Sequence, residues 1–414
     1  MIDTSTNMLY HIGNLNTENR RVSFQMATGK KIDNGSEDSL LHANLINLED
    51  KLRVTEGLKL QITKTQVMNE VSDSSLQELK TLLNKQDNGV ITDLLKGLNS
   101  GMQRSDKLAL ATSLRGMREN MFDLLNARVD GEYVFTGSGT DKQTMVKDKN
   151  FDQNGKIEFG GDGFLRKVAV QPGSYRDRGI TAYDAIFYTS SKSYAGESFT
   201  FEEGERIIDE NGFEWKLNEA KNQLQKYDYN GNIYHPLNVG PVGDNITALN
   251  ITSQTAESAA TTTSQSVKAT YTIANIGNSP AGKMFEAKHN YFDDLNVIIY
   301  ALEGHATELD GTRGAVIDDE LVRQTVSNGL EQTSRQFDAT NIGHGELGGR
   351  NHVFNIAYDK LEAQETHYNI LIQKIGGVDL AKLAMESKAL ELTYQSLYTT
   401  ISKMNKLSLL NYMN

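Results

Sequence analysis

Residues 375–404 read IGGVDLAKLAMESKALELTYQSLYTTISKM, and this stretch decides the architecture. Leu380, Leu383, Leu390, Tyr394, Leu397, Ile401 and Met404 recur at steps of three, four and seven residues, which places them on one face of a helix. Asp379 stands where a side chain can accept free amides at a helix start. Upstream, Phe354, Leu361, Tyr368 and Ile375 recur every seven residues before Gly376 and Gly377 interrupt the pattern. Two helices with an elbow between them are therefore expected at the end of the chain.

The beginning of the chain carries a matching stripe. Met8, Ile12, Leu15, Asn19, Val22 and Met26 step by four and three. A second helix is expected from Ser36, whose hydroxyl can cap, with Glu37 and Asp38 facing the positive dipole end. Its stripe is Leu41, Leu45, Leu48 and Leu52. After Ser105, Leu110, Leu114, Met117, Met121 and Leu124 mark a third. If the first and last helices pair, each buries its seam, and the middle of the chain becomes an insertion. Polar Asn19, Ser387 and Ser408 at seam positions weaken that pair. A lone pair of helices is marginal in water, so the ends are expected to order against neighbouring subunits.

The middle differs in composition. All four prolines of the 414 residues, Pro172, Pro236, Pro241 and Pro280, lie there, and proline is what a long helix least tolerates. Of the 32 aromatic residues, 18 fall within 131–282 and only 3 within 1–130. Tyr133-Val134-Phe135, Ile157-Glu158-Phe159 and Val168-Ala169-Val170 read as short strands. Asn154-Gly155, Asn211-Gly212 and Asn230-Gly231 read as hairpin turns. Residues 252–272 are either an exposed strand pair or a loose loop. The expected fold class is α+β: a long antiparallel helical coiled-coil bundle formed by both chain ends, with an inserted β-rich middle domain. Its expected parts are 1–40 with 376–414, a terminal pair ordered on assembly; 41–140 with 283–375, a helical rod; and 141–282, a β-rich projection.

Composition narrows the function. With 42 basic and 54 acidic residues the net charge is −12, which argues against nucleic acid and anionic membrane surfaces as partners. No cysteine is present, so disulfides and thiolate chemistry are excluded. No run of ~18 apolar residues suggests a span, and the first fifteen residues lack the apolar core of a secretory signal. The absence of crosslinks suits either a cytosolic protein or one exported unfolded through a narrow channel.

Catalytic or cofactor chemistry finds little support. The eight histidines, His11, His42, His235, His289, His305, His344, His352 and His367, form no zinc-helix pair and read as surface or helix-face residues. Asn150-x-Asp152-x-Asn154-Gly155 begins like a calcium loop, but Gly161 stands where a bidentate Glu is needed. The clusters Gly137-Ser138-Gly139 and Gly160-Gly161-Asp162-Gly163 lack the Lys-Ser/Thr of a phosphate loop. Glu202-Glu203 and Asp293-Asp294 read as solvated charge. No enzyme, no cofactor and no metal site is expected.

The ends carry a family resemblance. Thr28-Gly29-Lys30-Lys31-Ile32-Asp33 with Ser36-Glu37-Asp38 is similar to the SGKR-(I/V)…PSDDP segment of the flagellin superfamily, departing from it at Gly35, Glu37 and Ser39. Gly131-Glu132-Tyr133-Val134-Phe135-Thr136-Gly137 resembles the strand that leaves the helical domain in that family. Gly345-Glu346-Leu347-Gly348 looks like its x-E-(L/V)-G turn. Ile401-Ser402-Lys403-Met404-Asn405-Lys406-Leu407-Ser408-Leu409-Leu410-Asn411-Tyr412 resembles its C-terminal ending. The short exit strand favours the branch at the hook–filament junction over filament flagellin.

The resemblance implies a structural adaptor of the bacterial flagellum. Such a subunit is exported by the flagellar type III apparatus with the help of a chaperone, and forms a ring with its own copies. It meets the other hook-associated junction protein on one side and flagellin on the other, outside the cell. The seam of Met8, Ile12, Leu15, Val22, Met26, Leu380, Leu383, Leu390, Tyr394, Leu397, Ile401 and Met404 would then serve assembly. Two other readings are a filament flagellin and a surface adhesin that stacks glycans on Tyr227, Tyr229 and Tyr234.

Overall fold

A computed structural model describes residues 2–84, 89–99, 101–228, 231–234, 247–258, 265–276 and 284–412. The chain forms two compact units, Met1–Leu60 with Tyr358–Asn414, and Gln61–Ala357. The expected class holds: long helices at both ends, antiparallel sheets between them.

Four helices open the chain: α1 (Ile2–Thr28), α2 (Ser39–Leu83), α3 (Val90–Gly97) and α4 (Arg104–Leu125). The cap of α2 is Asp38, not Ser36; its Oδ1 accepts the Leu41 amide at 2.9 Å. Short hairpins follow. The first is β1 (Arg128–Val129) with β2 (Glu132–Tyr133). The second is β3 (Met145–Lys147), a helical turn α5 (Phe151–Asn154), and β4 (Ile157–Phe159). The third is β5 (Arg166–Gln171) with β6 (Ser174–Arg178). The strand expected at Tyr133–Phe135 thus pairs only as far as Tyr133, while Ile157–Phe159 and Val168–Val170 are strands. Asn154-Gly155 is no tight hairpin turn: Gly155, at φ 62°, ends the α5 turn inside a longer connection.

After α6 (Ala182–Ala185) come β7 (Phe187–Tyr194), β8 (Phe199–Glu202), β9 (Arg206–Asp209), β10 (Glu214–Leu217), β11 (Gln223–Lys226), β12 (Ala248–Asn250), β13 (Ser253–Gln254), β14 (Thr270–Ile273) and β15 (Met284–Asn290). An antiparallel sheet of order β12-β11-β10-β9-β15-β7 faces a smaller one, β13-β14-β8. Alternation decides which side chains meet between the sheets. Phe199 and Phe201 from β8, Tyr271 and Ile273 from β14, and Ile207, Trp215, Leu224 and Phe285 from the larger sheet form one core. Asn211-Gly212 turns the β9–β10 hairpin as expected, with Gly212 at φ 84°. The flanks of 252–272 are a strand pair, β13 with β14. Asn230 of the third expected turn lies outside the described residues.

Next are α7 (Tyr291–Leu302), the hairpin β16 (His305–Thr307) and β17 (Arg313–Val316), α8 (Asp319–Gly376) and α9 (Leu380–Tyr412). A second core in the unit Gln61–Ala357 gathers Leu76, Leu79, Leu94, Leu114, Met121, Phe292, Leu295, Ile298, Val326 and Leu347 around α7. The turn expected at Gly345–Gly348 does not form; the segment lies inside α8, held there by fully buried Leu347. Nor is Asp294 solvated. It is 3% exposed and bonded to the Tyr188 hydroxyl at 3.0 Å and to His289 at 3.1 Å. His289 is correspondingly a largely enclosed side chain rather than a surface one.

The two glycine clusters of the sequence explain each other. Asp162 accepts the Ser138 amide and the Phe164 amide through Oδ1, at 3.0 and 2.9 Å, and the Ser138 hydroxyl through Oδ2 at 2.6 Å. A Cβ at Gly137 would lie 2.3 Å from the Asp162 carbonyl, and Gly137 has φ 85°. Only glycine allows these two turns to close on each other.

Candidate functional site

The candidate site is the pair of chain ends, whose register is set at the elbow between α8 and α9. Gly29, at φ 69°, terminates α1, its amide bonding the Gln25 carbonyl at 2.8 Å. The chain then runs antiparallel to the elbow: Lys31 N donates to Gly376 O at 2.7 Å and Val378 N to Gly29 O at 3.1 Å. Lys31 Nζ reaches the Ile375 carbonyl at 3.0 Å, placing a cation at the negative end of α8. A Cβ on Gly376 would sit 2.8 Å from Leu45 Cδ2, so the bare glycine lets α2 approach the elbow. Asp379 then caps α9 as the sequence suggested, its Oδ1 accepting the Ala381 and Lys382 amides at 3.0 and 3.2 Å.

From this clip α1 and α9 run side by side in opposite directions. Arg21 pairs with Glu386 and, at 2.8 Å, with Glu18. Hydrogen bonding from Glu18, with Glu386 adding to it, raises the guanidinium's pKa above its ordinary value. Further along, the Tyr394 hydroxyl donates to Asn16 Oδ1 at 2.7 Å. Val22 and Leu383 are buried between the helices; Ile12, Leu15, Leu390, Tyr394, Leu397 and Ile401 are half-buried. Met26 and Leu380 are exposed, at 47% and 60%. The side chains of Met8 and Met404 lie outside the described residues. Where Met26 points outward, Gln25 is buried in its place, its amide donating to Lys31 O at 2.6 Å. Spacing alone did not reveal Gln25, because a polar residue carries no seam signal.

Ion pairing also joins α2 and α8 within this unit. Lys59 Nζ lies 2.8 Å from Glu365, 3.7 Å from Glu362 and over the Tyr358 ring. The Glu365 hydrogen bond raises the Lys59 pKa. Exposed pairs of this kind contribute little individually, so they select register more than they stabilise. Among the described residues of the unit, the fully covered apolar side chains are Val22, Leu361 and Leu383. Twelve large ones remain exposed, among them Leu9, Tyr10, Leu40, Leu60, Met385 and Tyr398. These apolar side chains are left uncovered by the rest of the unit's described residues.

The tyrosines of the glycan-stacking reading have local contacts of their own. Tyr234 packs edge-on to Phe213 at 5.1 Å, and both rings flank the buried Lys226 ammonium, 3.8 Å from the Phe213 centroid. Tyr227 faces Lys216 at 5.2 Å, and Tyr229 lies outside the described residues. No group of three or more His, Cys, Asp or Glu side chains that could hold a metal occurs among the described residues. Among those residues no helix is long and apolar enough to cross a membrane.

No family model matches the chain. Its sequence is 24% identical over 170 residues to flagellar hook-associated protein 3 of Escherichia coli K12, covering 40% of this chain and 51% of that protein. To flagellar hook-associated protein 3 of Salmonella typhimurium LT2 it is 25% identical over 197 residues, 46% of this chain and 58% of the other. The names of these relatives agree with the resemblance read from the sequence. The chain spans about half the length of the curated relatives it matches. Among solved structures, FlgL of Xanthomonas campestris is 12% identical with a TM-score of 0.48, covering 79% of this chain and 99% of that one. A putative flagellar hook-associated protein of Vibrio parahaemolyticus is 12% identical with a TM-score of 0.49, covering 82% and 100%.

Proposed function

We propose that this chain is a structural adaptor subunit of the bacterial flagellum, joining the hook to the filament at their junction. The observation that carries the reading is the helical unit of Met1–Leu60 and Tyr358–Asn414. Among its described residues it covers three apolar side chains while exposing twelve large ones, on helices whose register is fixed by the Gly29–Gly376 clip. Helices so poorly covered gain their stability from further partners. The similarity to hook-associated protein 3 supports other flagellar components as those partners. Copies of this chain complete a ring, the other hook-associated junction protein lies on the hook side, and flagellin lies on the filament side. Heterologous contacts above and below suit such a stack.

In this reading residues 1–40 and 376–414 order on assembly, with the seam Met8, Ile12, Leu15, Val22, Met26, Leu380, Leu383, Leu390, Tyr394, Leu397, Ile401 and Met404 facing partner helices. Residues 41–140 and 283–375 form the rod, and 141–282 project outward. The subunit is not an enzyme, reaches the cell exterior through the flagellar type III apparatus, and is held by an export chaperone beforehand.

The test replaces Leu390 and Leu397 together by Asp. Two carboxylates in the seam would be stranded without partners, so the variant should be secreted with its β-rich middle folded, yet fail to hold a filament. Flagellin would then accumulate in the medium. Normal filaments on cells carrying only this variant would refute the seam. Antibody to residues 150–280, imaged with gold on intact flagella, gives the position directly. A single cluster at the hook end supports the junction, and label along the filament would make the chain a flagellin instead.

A further inference from the structure

Three charged side chains on three different elements meet inside the unit Gln61–Ala357. His289, near the end of β15, lies with Nε2 3.1 Å from Asp294 Oδ1 of α7 and with Nδ1 3.6 Å from Glu205 Oε1, just before β9. The Glu205 and Asp294 side chains are each 4% exposed and that of His289 is 15% exposed. The Tyr188 hydroxyl of β7 closes the chain by donating to Asp294 Oδ2 at 3.0 Å, its ring 5.4 Å from the imidazole. β15 and β9 belong to the large sheet and contribute Phe285, Ala287 and Ile207 to the core between the sheets. α7 contributes Phe292, Leu295 and Ile298 to the helical core. The cluster therefore sits where the two cores are tied together. His289, Asp293 and Asp294 border a cavity of about 60 Å³, room enough for water beside the tie.

We propose that Glu205, His289 and Asp294 form a charge latch between the β-sandwich and the helical core, closed while His289 carries its proton and released in alkaline solution. The proposal is independent of the assembly reading above. Its physical basis is that two enclosed carboxylates repel unless a cation stands between them. The imidazolium is that cation, and losing its proton leaves Glu205, Asp294 and the adjacent Asp293 close together.

The surrounding charges agree. Burial acts to lower the His289 pKa, but Asp294, Glu205 and Asp293 outweigh it and hold the value well above an ordinary 6.5. Burial acts to raise the Glu205 pKa, and His289, Ser190 and the Glu202 backbone outweigh that, leaving it below the ordinary 4.5. Asp293 is raised, by burial first, against Lys268, His289 and Lys156. The Tyr188 pKa is raised by burial and by Asp294, with Arg335 of α8 acting against that rise. Glu308 and Asp310 complete the cavity wall. Because folded His289 holds its proton more tightly than the unfolded chain does, its contribution is complete below pH 6.5 and is lost as pH rises through the folded value. Glu205 has the opposite sense: its contribution is present above pH 4.5 and is lost as pH falls through its depressed folded value. Stability should thus form a plateau between the two.

The test follows urea unfolding of the full chain by Trp215 emission, across pH, beside an NMR titration of the His289 ring. Trp215 is the chain's one tryptophan and lies in the core between the sheets. The expected result is a midpoint that is level between about pH 4.5 and 6.5, falls above pH 6.5, and levels off again once the His289 ring has titrated. His289→Gln should remove that alkaline fall. Asp294→Asn, which keeps an acceptor for Tyr188, should move both the ring titration and the fall down by about 1–3 pH units. Parallel profiles for wild type and His289→Gln would overturn the latch, as would a His289 ring that titrates at its ordinary value. If His289→Gln does not fold, Asp294→Asn decides alone: an unmoved alkaline fall refutes the proposal.

Discussion

The helical unit of the chain ends and the unit Gln61–Ala357 use similar residues in opposite ways. In the first, heptad leucines pair two helices but leave Leu9, Leu40, Leu60, Met385 and Leu392 exposed. In the second, Leu76, Leu79 and Leu114 pack in one core with Leu295 of α7 and are almost wholly covered. The difference lies in how many elements share each core. α2, α3, α4, α7, α8 and the β3–β4 hairpin help to close one, and two sheets close the other. At the chain ends a stripe on each helix meets little more than its counterpart. A periodic apolar stripe therefore specifies which face is sticky, and the number of neighbours decides whether the chain itself covers it. Stability should be concentrated in one unit and binding capacity in the other.

The sharpest way to break this comparison is to remove bulk from the core between the sheets. Phe285 is fully buried and meets Trp215 at 5.0 Å between ring centroids. Phe285→Ala should cost about 3–5 kcal/mol, read as a lower urea midpoint in Trp215 emission. A loss below about 1 kcal/mol, the range of surface substitutions, would mean that this core is not what stabilises the unit.

A buried charge pair gives the next largest effect. Lys226 and Asp209 lie 3.6 Å apart, with side chains 5% and 2% exposed. Asp209 also accepts the Trp215 indole and the Asn211 and Phe213 amides. Lys226→Met keeps the bulk against Phe213 but leaves an enclosed carboxylate without its cation. The expected loss is about 3 kcal/mol, the low end for a broken buried pair because three donors remain. Replacing both residues, by Met and Asn, should recover most of it.

How far the sequence revealed these features depended on the range of the interaction. The stripes of α1, α4, α8 and α9 and the cap at Asp379 were legible, since helical spacing and capping are local. So was the Ile157–Phe159 strand, from its alternation. Gly345–Gly348 was read as a turn from a family motif, but the segment lies within a 58-residue helix, where burying Leu347 outweighs the glycines' helix cost of about 1 kcal/mol each. Asp294 and His289 were misread for another reason. Their partner Glu205 is 84 positions from His289 in the chain, and no spacing rule joins a strand end to a helix across a sheet. At the chain ends, the seam could be drawn but not its imperfections: Gln25 inside and Met26 outside follow from the turn at Gly29, which tertiary contact fixes.

A glycine substitution provides an effect of the opposite sign. Gly345, Gly348 and Gly349 lie in α8, and a Cβ at any of them meets nothing within 4 Å. Gly348→Ala should therefore stabilise the isolated chain by roughly 0.5–1 kcal/mol, through helix propensity alone. Gly137→Ala, where φ is 85° and a Cβ would strike the Asp162 carbonyl, should destabilise it instead. Equal effects at the two sites would contradict the placement of 345–349 inside a helix.

The smallest effect belongs to the chain ends. Arg21 and Glu386 are 38% and 39% exposed, and such pairs are worth about 0–1 kcal/mol. Arg21→Ala should accordingly leave Trp215 unfolding unchanged, while helix content lost from the ends on heating shifts only slightly. A double-mutant cycle with Glu386→Ala, read by far-ultraviolet circular dichroism at low and high salt, isolates the coupling. It should stay below about 1 kcal/mol and diminish as salt screens it. A coupling of several kcal/mol, insensitive to salt, would show that the ends are held by their own contacts and do not depend on neighbours to cover their apolar faces. The contrast between the two units would then be one of degree, and the exposed leucines would no longer argue for an assembly surface.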